Sequence, residues 1–431
     1  MLPAISAILP LFKDYANSAA MIKHCMTVVH SAVQKLNTSQ VPVIAMDQPL
    51  FALAKQIQWQ WPNSYGEDQF VIMMGGLHIE MAALRMLGHW LDGSGWINLL
   101  VQSGVTTAGV AESFIHASHV KRTRYAHTVT AAALYECMLN SYTAYCENLD
   151  NDTSDTVVIP KSFDEWRSES SESSIQFRFW NTVLELELLV LSFVRSLREA
   201  DFTLYVVTLQ GLLPWFFALD QTNYARWLSV HIRDMLLLPK SHPYIYNKFE
   251  CGFFTVAKSS RKFSSMSIDQ AHEQLNALIK GDGGAVGLMS VDASLHRWTI
   301  AGPEIVRILK EFEESSLNAS IDDHNSLHHE KRRSFQKRFM ADVSQLLQVL
   351  SDDNPFTAVD SNDLVDLCSR ILADPSVSDS VKMARQIGQE QMNNFINERL
   401  KGPVAISTPL TRNKLHMFTF KPLSKKKDSK S

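Results

Sequence analysis

Short apolar runs alternate with helical patterns over residues 41–91, and this alternation constrains the fold of the chain more than any other feature. The run VPVIAM ends at Asp47, and the following LFALAKQIQW repeats apolar residues at helical spacing. A segment containing Pro, Asn and Gly (62–66) precedes a second apolar run, FVIMMGG, and a second helical pattern, LHIEMAALRMLGHWL. Strand, helix, strand and helix at this spacing predict an α/β unit with parallel pairing.

The rest of the chain has a different pattern. From about residue 175 onward the periodicity is almost entirely helical. The predicted fold class is therefore an α/β front block with a large, mostly α-helical remainder. The predicted blocks are 1–146 (α/β), 147–174 (acidic, Ser-rich loop or linker), 175–313 (mainly helical, completing the core), 314–334 (polar, His-rich loop), 335–416 (helical tail region) and 417–431 (basic disordered tail).

Composition narrows the classes of protein. The 431 residues contain 41 Lys and Arg against 45 Asp and Glu, a formal net charge of −4, so DNA contact would require a local positive patch. Five scattered cysteines favour a reducing compartment over a disulfide framework or zinc ribbon. No apolar run reaches the roughly 18 to 20 residues of a membrane span, and the first residues make a poor signal peptide. These features predict a soluble, intracellular protein without a membrane partner.

Asp47 is the first candidate functional residue. It follows a predicted buried strand, with Gln48 beside it, at the end of the strand where open α/β sheets bind ligands. Burying a carboxylate costs several kcal/mol unless a partner compensates, so the position indicates a ligand, a metal or a structural partner. The alternative is that Asp47 only caps the following helix.

A second candidate site lies in GGLHIEM, residues 75–81. Two glycines allow a sharp backbone turn before His78 and Glu80. His78 could act as a metal ligand or an acid/base group. The alternative is a histidine that hydrogen-bonds a backbone carbonyl.

The third candidate is a helix beginning near Ser267, where Gln270 completes the spacing of a capping box. The helical spacing predicts one shared polar face, which comprises Asp269, His272, Glu273, Asn276 and Lys280. This face could coordinate or position a ligand, or it could simply be solvated. The GDGGAVG that follows lacks the features of a P-loop, and DDHNSLHHE (322–330) predicts at most weak metal affinity.

Four blocks resemble the signature sequences of a multi-copy animal protein group, common in corals, other invertebrates and fish, that looks transposon-derived. The blocks are VPVIAMDQPLFALAKQIQW, GGLHIEMAALRMLGHWLDGSGW, PWFFALDQTNYARWLSVHIRDM and SSMSIDQAHEQLNALIKGDGGAVGL, and the likeness runs from near residue 1 to about 416. A looser likeness, strand–Asp–Gln and then Gly–x–x–His–x–x–Met, connects the chain to transposases with a ribonuclease H-like core.

The ribonuclease H-like resemblance implies a sheet that holds Mg²⁺ between carboxylates for phosphodiester chemistry. Asp47 matches the first metal ligand and Glu273 the last. The middle ligand stays open between His78, Glu80 and Asp220. A histidine there would weaken the binding of Mg²⁺, which prefers oxygen, so an inactive protein is also compatible with the sequence.

DNA is the partner that this resemblance implies. In SHVKRTRYAH, the cluster Lys121, Arg122, Arg124 and Tyr125 could contact phosphates and stack a base, and Arg226 is a further candidate. The alternative for the cluster is a solvated helix end.

The carboxy-terminal lysines Lys421 and Lys425–Lys427 are compatible with nuclear import, which predicts a nuclear location. Two functions follow as hypotheses. One is a DNA-binding, Mg²⁺-dependent transposase or nuclease. The other is a catalytically inactive, domesticated interaction or structural protein, in which the same residues form a buried polar network.

Overall fold

The computed structural model describes residues 17–150, 160–259, 262–280, 332–357 and 363–413, with isolated positions at 293, 296, 297, 300, 301, 330 and 415. The helices are α1 (Ala19–Leu36), α2 (Gln48–Gln60), α3 (Pro62–Tyr65), α4 (Gly76–Leu91), α5 (Trp96–Gln102), α6 (Ala108–Ile115), α7 (Val120–Asp150), α8 (Phe163–Ser173), α9 (Ile175–Glu199), α10 (Phe202–Ala218), α11 (Thr222–Ser241), α12 (Pro243–Glu250), α13 (Ile268–Lys280), α14 (Arg333–Ser351) and α15 (Pro375–Phe395), which continues into a π-helical turn at Ile396–Leu400. The strands are β1 (Val43–Met46), β2 (Val71–Met74), β3 (Val256–Ala257) and β4 (Ser265–Met266). The predicted GDGGAVG loop, residues 322–329 of the His-rich segment and the basic tail lie outside the described residues.

The strands β1 and β2 form the predicted parallel pair, in register from Val43 with Val71 to Met46 with Met74. All four residues of β2 are buried, which agrees with its continuous apolar sequence. Among the described residues this sheet has two strands, so the larger sheet of a ribonuclease H-like core is not seen. The largely helical remainder is confirmed, and it also contains a short antiparallel β3–β4 ladder that the sequence did not predict.

The chain divides into two compact units. One comprises Met1–Glu80, Phe193–Leu209 and Arg226–Phe335, and the other comprises Met81–Ser192, Gln210–Ala225 and Gln336–Ser431. Each unit is therefore assembled from segments that are distant in sequence.

The first unit contains a buried ionic network that joins α2 to α11. Lys55, only 2% exposed, places Nζ 2.6 Å from Glu67 Oε1 and 2.9 Å from Asp234 Oδ2. Arg233 donates to Glu67 at 2.8 Å, and the Trp59 indole donates to the same carboxylate at 2.9 Å. Although burial opposes it, the two cations lower the pKa of Glu67 to about 2. The network thus satisfies a buried ammonium with two carboxylates.

The core of the second unit is aromatic around Trp90, which stacks on Phe179 at 5.5 Å between ring centroids and meets the edge of Trp215 at 5.7 Å. The same unit buries His127 and Glu187 at 1% and 0% exposure, with Nδ1 and Oε1 3.2 Å apart. This pair joins α7 to α9 inside an otherwise apolar region.

The acidic, Ser-rich segment 147–174 is helical at both ends. Helix α7 extends to Asp150, and α8 begins with a capping box in which Ser162 and Glu165 satisfy each other's backbone N–H groups. Trp166 anchors α8 and is 4% exposed. Residues 151–159 of the predicted linker lie outside the described residues.

Within the part of the chain that the structure describes, no helix is both long enough and apolar enough to cross a lipid bilayer.

Candidate acid–base site at the amino terminus of α4

Asp269 organises the candidate site by capping a helix far away in sequence. Its two carboxylate oxygens accept from the backbone N–H groups of Leu77 and His78, at 3.0 and 3.1 Å, in the first turn of α4. A carboxylate at this position satisfies free N–H groups and complements the positive end of the helix dipole. A Cβ atom on Gly75 would overlap this carboxylate, and one on Gly76 would lie 2.8 Å from Ser267 Cβ. The two glycines are therefore required by the close approach of α13.

His78 and Asp269 form a side-chain pair in the same place. Nδ1 of His78 lies 2.9 Å from Oδ2 of Asp269, and the two side chains are 32% and 8% exposed. The hydrogen bond to Asp269 raises the pKa of His78 against the effect of burial. For Asp269, burial alone would raise the pKa, but the hydrogen bonds from His78 and the α4 backbone hold it below its ordinary value. The imidazolium form of His78 is therefore stabilised, and its ring is still open to solvent.

Two further carboxylates act on the same imidazole. The charges of Asp47 and Glu273 both raise the pKa of His78. These groups come from the end of β1 and from α13, the two elements to which the sequence assigned the first and last metal ligands. The structure therefore brings both predicted carboxylates into the surroundings of His78.

Asp47 is also the N-cap of α2, as the simpler prediction stated. Its Oδ1 accepts from the backbone N–H of Leu50 at 3.2 Å, and its neighbour Gln48 is buried. Among the described residues, Leu50 is therefore the hydrogen-bond partner of the Asp47 carboxylate. Capping and an electrostatic effect on His78 thus coexist in one residue.

The predicted polar face of α13 separates into inner and outer positions. Asp269 faces α4, whereas His272 and Glu273 are exposed and Asn276 is half-buried. Of the residues on this face, Asp269 is the one that pairs with His78. The sequence signal for this contact is the pair Gly75 and Gly76 at the start of α4, because consecutive glycines before a helix indicate the close approach of another group.

The structure also places the other two candidates for the middle ligand. Glu80 is 2% exposed in the interior, and Asp220 belongs to the second unit. There both oxygens of Asp220 accept from the backbone N–H of Asn413, at 2.8 and 3.1 Å, and burial raises its pKa. Among the described residues, no group of three or more His, Cys, Asp or Glu side chains is placed to hold a metal ion.

The predicted DNA-contacting cluster is partly engaged within its own unit. The Tyr125 hydroxyl donates to Asp342 at 2.6 Å, and the Arg338 guanidinium lies 5.1 Å from the Tyr125 ring centroid. Burial and Asp342 raise the pKa of this hydroxyl. The basic residues of the prediction are exposed at Lys121 and Arg122 and half-buried at Arg124 and Arg226.

Cavity volume argues against a deep small-molecule site beside His78. The cavity bordered by Gly76, Ser267 and Phe254 holds about 10 Å³, the space of about one water molecule. A cavity of about 460 Å³ lies in the second unit between α5 and α14 and contains none of the predicted site residues. Within the described residues, the partly exposed ring of His78 is accessible from the surface.

The fold and site define a mostly helical protein in which a small parallel strand pair and a later helix hold a His–Asp pair near two more carboxylates. The chain belongs to the family described as "Domain of unknown function (DUF8702)", whose model matches residues 4–419. No curated protein and no solved structure matches the chain.

Proposed function

We propose that the protein is a transposon-derived, ribonuclease H-like protein that binds DNA and cleaves or joins phosphodiesters at the His78 site with Mg²⁺. The observation that carries the proposal is the His78–Asp269 pair at the amino terminus of α4, whose imidazole also interacts electrostatically with Asp47 and Glu273. The parallel β1–β2 pair, with Asp47 at its carboxyl end, is compatible with the first strands of such a core.

The chemistry of the site fits an oxygen-preferring cation only in part. Asp47 keeps one carboxylate oxygen outside its cap hydrogen bond, and Glu273 is exposed, so these two side chains would hold Mg²⁺. Bound Mg²⁺ would polarise a phosphodiester oxygen. Asp269 is committed to α4 and would act by positioning His78.

His78 is the proposed general acid. Its raised pKa keeps the imidazolium populated nearer to neutral pH, and its ring is accessible from the surface. In hydrolysis, a water oxygen bonds to phosphorus as the bond to the leaving oxygen breaks. The His78 imidazolium gives its proton to the leaving oxygen, and the attacking water loses a proton to solvent.

A Mg²⁺-dependent nicking assay on supercoiled DNA tests the proposal. Asp47→Asn is the informative variant, because Asn caps a helix about as well as Asp but removes the charge. We expect Asp47→Asn and Glu273→Gln each to lower nicking by about 100-fold or more, since metal-based charge stabilisation contributes several kcal/mol. Asp68→Asn, an exposed change in the same unit and outside both proposed sites, is the matched control. Absence of a cut product, or cutting by both site variants at the rate of the unmodified chain, would remove the enzyme proposal.

A second candidate is a catalytically inactive, domesticated interaction or structural protein. It is favoured by the use of both Asp47 and Asp269 as helix caps, a role that needs no substrate. In that case Asp269→Asn lowers the stability of the fold. The unmodified chain and all of the variants then show no activity on DNA.

A further inference from the structure

An exposed aromatic cluster surrounds one lysine at the end of α12. Tyr244 and Phe253 are 54% and 57% exposed, unusual values for such large rings. The Lys248 ammonium lies 5.4 Å from the Tyr244 ring centroid and 5.6 Å from that of Phe253. Two accessible ring faces and a cation thus occupy one surface, here called the Tyr244–Phe253 surface.

From this surface we infer a contact site for single-stranded nucleic acid, an inference that deepens the proposed function and rests on it. Aromatic rings bind bases by stacking, and a lysine between them can contact the phosphate that links two bases. A base in a duplex is already stacked on both sides, so exposed rings select unpaired strands.

The local charge supports an anionic occupant. The segment 240–258 contains Lys240, Lys248 and Lys258 against Glu250, although the whole chain carries a net charge of −4. Glu250 is two positions from Lys248 on α12, so the two side chains point in different directions. The segment that carries the surface is therefore positively charged in an acidic chain, and Lys248 lies between the two rings, which favours a phosphate backbone as the occupant.

The chain connects this surface directly to the His78 site. Phe254, next to Phe253, is 2% exposed and borders the small cavity beside Gly76 and Ser267. The β3–β4 ladder that follows leads into α13, which carries Asp269. A strand bound at the Tyr244–Phe253 surface would therefore lie in the unit that holds the proposed reactive groups.

Fluorescence anisotropy with a labelled oligothymidylate and the full-length chain tests the inference. The buffer contains a chelator, so that binding is measured without Mg²⁺ and independently of cleavage. We expect Tyr244→Ala and Phe253→Ala each to weaken binding by about 5- to 150-fold, the loss of one stacked base. Phe253→Trp should retain binding, and Lys248→Met should reduce the salt dependence by about one phosphate contact, roughly 0.7 in logarithmic slope.

Matched controls separate the possible outcomes. Tyr135→Ala removes a ring of 49% exposure from α7 and should leave binding unchanged. A duplex of the same length should bind more weakly than the single strand. Equal binding by Tyr244→Ala, Phe253→Ala and the unmodified chain, or no binding at all, overturns the inference. So does self-association that these two variants abolish without an effect on oligonucleotide binding, since the surface would then join two copies of the chain.

The outcomes also distinguish this inference from the proposed function. Normal oligonucleotide binding by Asp47→Asn together with lost nicking supports both proposals. Normal oligonucleotide binding by the unmodified chain without any nicking removes only the enzyme proposal.

Discussion

Replacing Glu187 by Gln should remove a pH-dependent loss of stability above neutral pH. The Glu187–His127 pair is almost completely buried, and Trp96 stacks on the imidazole at 4.6 Å between ring centroids. Within the described structure, Nε2 of His127 and Oε2 of Glu187 have no hydrogen-bond partner. Burial raises the pKa of Glu187 well above 4.5 and lowers that of His127 from 6.5 to about 3. The folded pair therefore keeps the Glu187 proton to a higher pH than the unfolded pair does.

The direction of the effect follows from the proton count in each state. The stabilising contribution of Glu187 is fully present below its unfolded pKa of 4.5 and is lost as the pH rises toward its raised folded value. His127 contributes above its unfolded pKa of 6.5 and loses that contribution as the pH falls toward about 3. Between 4.5 and 6.5 the two effects cancel. Above 6.5 the unfolded pair has lost both protons while the folded pair retains one, so the free energy of unfolding falls by about 1.4 kcal/mol per pH unit.

Glu187→Gln removes the retained proton and hence this slope. Urea unfolding, followed by tryptophan fluorescence between about pH 7 and pH 9, measures the difference in stability between variant and unmodified chain. That difference should move in favour of the variant, by up to about 1.4 kcal/mol per pH unit below the raised pKa of Glu187. Glu136→Gln, an exposed change on α7, should show no such trend. A difference that stays constant over this range would refute the idea that burial keeps a proton on the pair.

Three further perturbations test the first unit. Lys55→Met should lower the free energy of unfolding by about 1 to 2 kcal/mol, because Glu67 and Asp234 then share only Arg233; an unchanged urea midpoint would contradict this. Asp269→Ala should return the pKa of His78 toward its ordinary value, which an NMR titration of the imidazole can follow, and a pKa that stays raised would show that Asp269 is not its main partner. Gly75→Ala should destabilise the fold by about 1 to 3 kcal/mol through overlap with the Asp269 carboxylate, whereas Gly109→Ala, with open space around it in α6, should be neutral or stabilising in thermal unfolding.

Local patterns were sufficient to predict the strand pair and the helices around it. The sequences of β1 and β2 are continuous apolar runs, and the N-cap role of Asp47 depends only on the residues that follow it. The capping box at Ser162 was also a local signal, although the acidic composition around it favoured a linker over α8. Information of this kind lies within a few residues and does not depend on the tertiary fold.

The ionic and acid–base groups depend on contacts between distant segments and could not be predicted in the same way. Lys55 occupies a helical position typical of a surface lysine, and its burial depends on Glu67 and on the approach of the distant Asp234. Similarly, Asp269 belongs to a helix that looks amphipathic and solvated until α4 supplies two N–H groups for its carboxylate. Sequence periodicity identifies the faces of helices, but it does not identify which partner covers a face.

The His78 site requires segments that are distant in sequence. The imidazole is carried by α4 and Asp47 by β1, both in the front of the chain, yet Asp269 and Glu273 come from α13. Gly75 permits this arrangement only because it has no side chain, so the turn after β2 is shaped by a helix that begins almost two hundred residues later. The front block alone therefore cannot set the protonation of His78. Any activity of the imidazole depends on the docking of α13, which makes the β3–β4 ladder before it part of the functional arrangement.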